Sequence, residues 1–175
     1  MANIVIVSGS PSKSSRLHGL TGYSEQKLLE LGARLDTLYV ADLPAEDLIR
    51  ANFAGADIQR AQALVEQADA VILASPVYKA SYTGVLKTFL DLLPQKGLQN
   101  KVVLPLFIGG TIAHLLAIDY SLKPVVSALG GTHMLTGVYA VDGWVNRLED
   151  GGYALADELI ARLDDSLLQL YHAVK

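Results

Sequence analysis

Short apolar runs alternate along the chain with longer segments of helical period, the pattern of βαβ units built around a parallel sheet. Strands are predicted at about 3–8 (Asn3-Ile4-Val5-Ile6-Val7-Ser8), 35–41, 70–75 (Ala70-Val71-Ile72-Leu73-Ala74-Ser75), 102–108 and 133–139. Their near-continuous hydrophobicity is that of strands covered on both faces. Pro105 argues against a central place for the fourth, because proline cannot donate to a ladder on both sides. Helices are predicted between the strands, at about 15–32, 57–68, 83–93, 113–129 and 152–173. The third takes Thr83 as N-cap, Val85, Leu86, Phe89, Leu90 and Leu93 as its apolar face and Pro94 as its stop. The last repeats Leu155, Leu159, Leu163, Leu167, Leu170 and Val174 at three- or four-residue spacing, one buried face. The longest irregular stretch, about 42–56, follows the second strand.

The fourth helix differs from the others. Leu115, Ile118, Leu122, Val125 and Leu129 make one stripe, while Leu116, Ala117 and Tyr120 extend the apolar character around the helix. Pro124 removes the hydrogen bond that would return to the Tyr120 carbonyl, so a kink or π-bulge is expected near Tyr120. Such a helix is either a Pro-kinked core element or a contact with a second copy of the chain. Five βα pairs in 175 residues fit a three-layer αβα sandwich with a flavodoxin-like five-stranded parallel sheet of order 2-1-3-4-5, occupying residues 1–175 as a single domain.

Composition narrows the chemistry. There is no cysteine, which excludes thiolate nucleophiles, disulfides and all-Cys clusters and leaves redox work to a bound organic cofactor. Charged residues are 18% of the chain against about 25% in ordinary domains, so additional surface is expected to be buried in an oligomer. The 14 basic residues are scattered and the formal net charge is -4, which gives nucleic acid no footprint. Ile4–Val7 is too short for a signal segment and no apolar stretch reaches the roughly 18 residues of a membrane span. A soluble, cytoplasmic protein is expected. His18, His133 and His172 show no metal-ligand spacing with one another, His114 reads as a helix-cap or interface histidine, and no metal is expected.

In open α/β sheets ligands bind beyond the carboxyl ends of the strands, at the switch point between strands one and three. Three strand ends carry candidate chemistry. Gly9-Ser10-Pro11-Ser12-Lys13-Ser14-Ser15-Arg16 is a hydroxyl-rich loop entering a helix N-terminus, suited to a phosphate with Lys13 or Arg16 balancing its charge. It lacks G-x-G-x-x-G and G-x-x-x-x-G-K-[ST], which disfavours a dinucleotide fingerprint and a P-loop. Ser75-Pro76-Val77-Tyr78-Lys79-Ala80-Ser81-Tyr82-Thr83-Gly84 offers flat faces beside open backbone groups, and Gly109-Gly110-Thr111 permits close approach at another helix start. Each loop alone also reads as ordinary local structure: a Ser-rich cap, a turn with interface tyrosines, a tight Gly turn. Together, one loop for a phosphate and two for a flat ring point to a mononucleotide with a large planar base, and FMN fits best.

The segments Gly9-Ser10-Pro11, Ser75 to Lys87 and Gly109 to Tyr120 closely resemble the NADPH-dependent FMN reductases, in particular the flavin reductase branch of two-component alkanesulfonate monooxygenase systems. The resemblance implies an oxidoreductase that takes hydride from NADPH (or NADH) at nicotinamide C4, delivers it to flavin N5 and supplies reduced FMN to a partner monooxygenase in sulfonate desulfonation and sulfur acquisition. It places Ser10, Ser12, Ser15 and Arg16 at the phosphate, Pro76, Val77, Tyr78 and Lys79 along the ring edge, and Gly109, Gly110 and Thr111 at the second ring loop. Relatives often carry arginine where this chain has Ser12, and Lys13 stands next to it. Tyr120 matches a tyrosine in a π-helical insertion at a subunit interface near the flavin and is expected to modulate flavin transfer. A homodimer or homotetramer through helices about 83–93 and 113–129 is expected.

No side chain is nominated as acid or base, since ring-to-ring hydride transfer needs orientation and electrostatic support. Residues 142–152, with Trp144, are read as cover for a site or an interface. Two further readings stand beside the first: an enzyme reducing quinones, azo dyes or metal oxyanions with FMN permanently bound, and a non-enzymatic electron carrier like flavodoxin.

Overall fold

The computed structural model describes residues 1–175. Its strands are β1 (Asn3–Ser8), β2 (Arg34–Tyr39), β3 (Ala70–Tyr78), β4 (Ser81–Tyr82), β5 (Val102–Gly109), β6 (His133–Met134), β7 (Val138–Val141), β8 (Val145–Arg147) and β9 (Tyr153–Leu155). Its α-helices are α1 (Leu17–Glu30), α2 (Ala45–Ile49), α3 (Ala56–Gln67), α4 (Gly84–Leu90), α5 (Lys123–Ala128) and α6 (Asp157–Ala173). The main sheet runs β2-β1-β3-β5 and then β6 and β7, all parallel. This is the expected order 2-1-3-4-5, with β6 and β7 together filling the fifth place.

Alternation along the strands divides the core into two layers. Ile4 and Ile6 face α1 and α6, packing among Leu17, Leu20, Leu159 and Leu163. Val5 and Val7 face the opposite side, with Ile58, Phe89 and Leu122. Every residue of β5 is buried, as its two-sided covering requires.

Six expectations about elements need correction. Pro105 does lie in the central strand β5, in register with Leu73 of β3. Its missing N–H faces the fifth strand, because Val103, two residues earlier and therefore on the same side, accepts from Leu135 N at 2.9 Å. The fifth strand, expected as a continuous 133–139, is split into β6 and β7 at that point. Gly137 adopts φ +79° there, and a Cβ on it would stand 2.6 Å from the Pro105 carbonyl oxygen, so the break accommodates the proline.

The expected helix 113–129 carries the π-bulge expected near Tyr120, but it is also divided into separate elements. Residues Ile112–His114 form a single 3₁₀ turn, Ile118–Leu122 a π-helix and Lys123–Ala128 the regular α5. Lys123 N donates to the Ile118 carbonyl, a five-residue closure, immediately before the proline that cannot donate. The helix expected from residue 152 begins at Asp157, because 153–155 pair antiparallel with 145–147 as a β8–β9 hairpin. The stretch 42–56, expected irregular, contains the short α2. Helix 83–93 closes as α4 at Leu90, tightening to three-residue hydrogen bonds from Leu92 to Phe89 and Leu93 to Leu90 ahead of Pro94.

Candidate functional site

The three loops emerge at one end of the sheet because β1, β3 and β5 are adjacent and parallel. Gly9 N donates to the Ala74 carbonyl at 2.8 Å, carrying the β1–β3 ladder one residue into the first loop. Thr83 ties the loops together. Its hydroxyl donates to the Gly9 carbonyl at 2.6 Å and accepts from Leu86 N at 3.1 Å, while its own N–H donates to Ser75 Oγ at 3.0 Å. Thr83 is thus the expected N-cap of α4 and also a buried bridge between the ends of β1 and β3. Gly9 is needed at this crossing, since a Cβ there would overlap Leu86 Cβ.

The first loop is braced by its own hydroxyls. Ser10 Oγ donates to the Ser12 carbonyl at 2.9 Å and accepts from Ser12 N at 3.3 Å. Ser12 Oγ accepts from Ser14 N at 3.2 Å, and Ser15 Oγ accepts from Leu17 N at 3.2 Å in the first turn of α1. Ser10 is buried, whereas Pro11, Ser12, Lys13 and Ser14 are exposed. Arg16 is half-buried and its Nε donates to the Val145 carbonyl at 3.0 Å; the remaining guanidinium donors leave it able to serve a second partner. Arg147 donates to the Ser14 carbonyl at 2.5 Å and Tyr153 Oη to the Ser15 carbonyl at 3.0 Å. Residues 142–152, read from sequence as a cover, therefore include a brace for this loop, and Trp144 turns to α6, where the Arg162 guanidinium lies 5.4 Å from its ring.

The second loop is a two-residue hairpin, with Val77 opposite Tyr82 and Tyr78 opposite Ser81. Lys79 and Ala80 at its tip have φ 51° and 63°, a left-handed pair that tight hairpins require and that costs non-glycine residues about 1–2 kcal/mol each. Pro76 is buried, Val77 half-buried, and Tyr78 and Lys79 exposed.

In the third loop Gly109 is buried, and Gly110 and Thr111 are exposed. A Cβ on Gly109 would overlap Tyr139 Oη and lie 3.4 Å from Val77 Cβ, so the second and third loops are in contact. Tyr139 Oη donates to the Thr111 carbonyl at 2.8 Å. Burial, and then the Asp142 carboxylate, raise its phenol above the ordinary value, which keeps this donor protonated. Thr111 Oγ1 accepts from Ala113 N at 3.3 Å, starting the turn that leads to the π-helix. A cavity of about 280 Å³ there is lined by Ala80, Ala113, His114, Leu116, Ala117, Tyr120 and Ser121, which brings the hairpin tip against the π-helix. Tyr120 is 80% exposed.

The sequence-predicted residues thus fall into one ridge of loops. Missed from sequence were Tyr139, Arg147, Tyr153 and the Thr83–Gly9 bond, whose partners are 28 to 138 residues apart. The site suits FMN on its own chemistry. Hydroxyls and helix-start amides meet at one end, while at the other Gly109 and the open Gly110, with no atom nearer than 3.8 Å to a Cβ built there, leave a backbone cradle for a flat ring.

A family model described as NADPH-dependent FMN reductase matches residues 2–146. An FMN reductase (NADPH) of Pseudomonas putida is 48% identical over 165 residues, covering 94% of this chain and 84% of its own length. An FMN reductase (NADPH) of Escherichia coli is 46% identical over 142 residues, covering 81% and 74%. Among solved structures, an apo NADH:FMN oxidoreductase (EMOB) superposes with a TM-score of 0.90 at 34% identity, covering 100% of this chain and 91% of the other.

Proposed function

The chain belongs to the NADPH-dependent FMN reductase family and is an oxidoreductase of that activity, and on this premise we propose that it treats FMN as a substrate to be released, supplying reduced FMN to a separate flavin-dependent monooxygenase of sulfonate desulfonation. Residues 1–175 work as one domain in the cytoplasm, assembled as a homodimer or homotetramer through the segments about 83–93 and 113–129.

In this reading Ser10, Ser12 and Ser15, with the amides at the start of α1, receive the flavin phosphate. Their present hydrogen bonds run within the loop and are exchangeable for phosphate oxygens. Arg16 adds charge from beside Val145. Pro76, Val77, Tyr78 and Lys79 would hold one ring edge, and the amides of Gly110 and Thr111 would stabilise negative charge on a reduced ring. Bound FMN supplies the redox chemistry, accepting hydride at N5 from the C4 of a reduced nicotinamide. The chain's contribution is orientation, and Tyr139 fixes it by holding the Thr111 carbonyl.

The observation that carries release rather than retention is the exposure of the ring-side wall. Tyr78 is 52% exposed and Lys79, Gly110 and Thr111 are exposed as well, all outside the 113–129 segment, so a flavin would be gripped at the phosphate and along one edge. Nicotinamide oxidation measured with and without added FMN, on protein passed through gel filtration and inspected for colour, tests it. Colourless protein whose NADPH oxidation depends on added FMN is the expected result. Yellow protein with ping-pong kinetics toward quinones, azo dyes or metal oxyanions would replace this reading with a resident-FMN reductase. Tight FMN without nicotinamide oxidation would make it a carrier.

A further inference from the structure

On the far side of the first loop from the ring loops, the end of β2 opens a cavity of about 490 Å³ that shares Ser10 and Ser12 with the flavin-phosphate reading above and extends beyond it to Tyr39 and Asp42. Its walls are Ser10, Ser12, Lys13, His18, Tyr39 and Asp42. Tyr39 presents a flat ring, 38% exposed, backed by His18 at 5.7 Å between centroids and a tilt of 49°. His18 Nε2 lies 3.1 Å from the Ser12 carbonyl oxygen, so the ring that backs Tyr39 is anchored to the first loop. Burial, and then the nearby Glu25 and Asp42 carboxylates, raise the Tyr39 phenol, which remains a neutral aromatic face. At the mouth, Lys13 Nζ and Asp42 Oδ1 form an ion pair at 3.5 Å with both side chains more than half exposed.

We propose that this cavity is a subsite for an adenosine phosphate, with adenine against Tyr39 and the ribose 2′ position read by the Lys13–Asp42 pair. The placement rests on the assignment of the first loop to the flavin phosphate. A carboxylate just past the second strand of an open α/β sheet is suited to ribose hydroxyls, and a neighbouring cation to a 2′-phosphate. Here both are present, joined by an exposed pair that costs little to exchange. A 2′-phosphate takes Lys13 from Asp42; a free 2′-hydroxyl donates to Asp42. Adjacent strands are about 4.8 Å apart, so the end of β2 lies about 12 Å from the gap between β3 and β5 where the ring loops meet, a span that an extended nicotinamide dinucleotide covers. The same subsite chemistry would take the AMP half of FAD, continuing from the flavin phosphate.

The test uses the full chain as wild type, Tyr39→Ala, Tyr39→Phe and Asp42→Asn, with binding of 2′,5′-ADP by calorimetry, FMN by fluorescence quenching, and KM for NADPH, NADH and FAD. Tyr39→Ala is expected to weaken 2′,5′-ADP at least tenfold and raise the NADPH KM similarly, with FMN affinity within twofold and Tyr39→Phe restoring both. Asp42→Asn is expected to raise the preference for NADPH over NADH severalfold. A Tyr39→Ala effect confined to the FAD KM assigns the subsite to the AMP half of FAD. Unchanged 2′,5′-ADP, NADPH and FAD values in Tyr39→Ala, with FMN binding intact, overturn the subsite. If Ser12→Ala and Ser15→Ala together leave FMN affinity unchanged, the phosphate-loop assignment fails instead.

Discussion

A single hydroxyl, that of Tyr139, fixes the loop on which the flavin ring is proposed to lie. It reaches from within β7 to the Thr111 carbonyl at 2.8 Å and occupies the space that a Cβ on Gly109 would need. Gly109 is thus required less for backbone freedom than for room. Tyr139→Phe keeps the ring and deletes the bond, leaving an exposed carbonyl that water can reach, so stability should fall by only about 1 kcal/mol. If Thr111 then drifts, FMN affinity falls about fivefold, the equivalent of that energy. Urea denaturation and FMN titration on the same variant check both. Thr83 acts in the same way at the other loop, but being buried with three hydrogen bonds it serves the fold and the site together.

Among the elements, the π-helix at Ile118–Leu122 follows directly from Pro124. Where the proline withholds its donor, the preceding turn widens to a five-residue closure, and Ser121 Oγ donates to the Ala117 carbonyl within the widened turn. The widened turn carries Tyr120 outward beside the hairpin tip. Because Tyr120 is exposed, Tyr120→Ala should change stability by less than about 0.5 kcal/mol while changing FMN retention or transfer severalfold, measured by equilibrium dialysis and by coupled monooxygenase turnover. A second element-scale device joins α1 to α6: Asp164 accepts from Tyr23 Oη at 2.8 Å and pairs with Lys27 at 3.0 Å. Burial alone would raise the Asp164 carboxyl, but hydrogen bonds from Lys27 and Tyr23 and the Lys27 charge outweigh it and hold it below the usual value. The Tyr23 phenol is pushed up to about 12, first by burial and then by Asp164. A depressed acid stabilises above its unfolded value, about 3.9, and loses that contribution as pH falls through the folded value. A raised phenol stabilises below about 10 and loses its contribution as pH rises through about 12. The clamp is therefore expected to be whole between about pH 4 and 10. Thermal melts of Asp164→Asn should be lower than wild type in that window and converge with it below pH 4.

On the scale of the whole molecule, the low charge content leads to an expectation of buried surface beyond a single chain, and the proposed interface carries an exposed apolar patch. Ile112, Leu115, Leu116 and Tyr120 are all exposed, at 48, 43, 52 and 80%, within nine residues that also border the ring loops. A patch of this kind is unfavourable in water unless covered. In the proposed assembly it is covered by a second copy, so oligomer formation would cover the helical side of the flavin site and leave the Tyr78 edge open. Leu116→Asp should therefore shift the protein toward monomer in sedimentation velocity and weaken FMN together, with the secondary structure by circular dichroism unchanged.

Much of this was legible in the residues alone. Near-continuous apolar runs of strand length, such as Ala70–Ala74 and Val102–Ile108, alternating with segments of helical period, identify the parallel strands, and the parallel βαβ connections restrict their order. Polar loops at the ends of those strands then locate the site, because ligands in such sheets gather at the switch point. Pro124 announced the irregular helix for an equally local reason, the absence of one N–H. The tertiary structure alone decided what braces those loops: Tyr139 under Gly109, Arg147 and Tyr153 on the backbone of Ser14 and Ser15, and the split of the fifth strand at Pro105. It also made one cavity of Lys13, His18, Tyr39 and Asp42. These contacts join residues far apart in the chain, and a periodicity read over one or two turns carries no record of which distant side chain will arrive beside it.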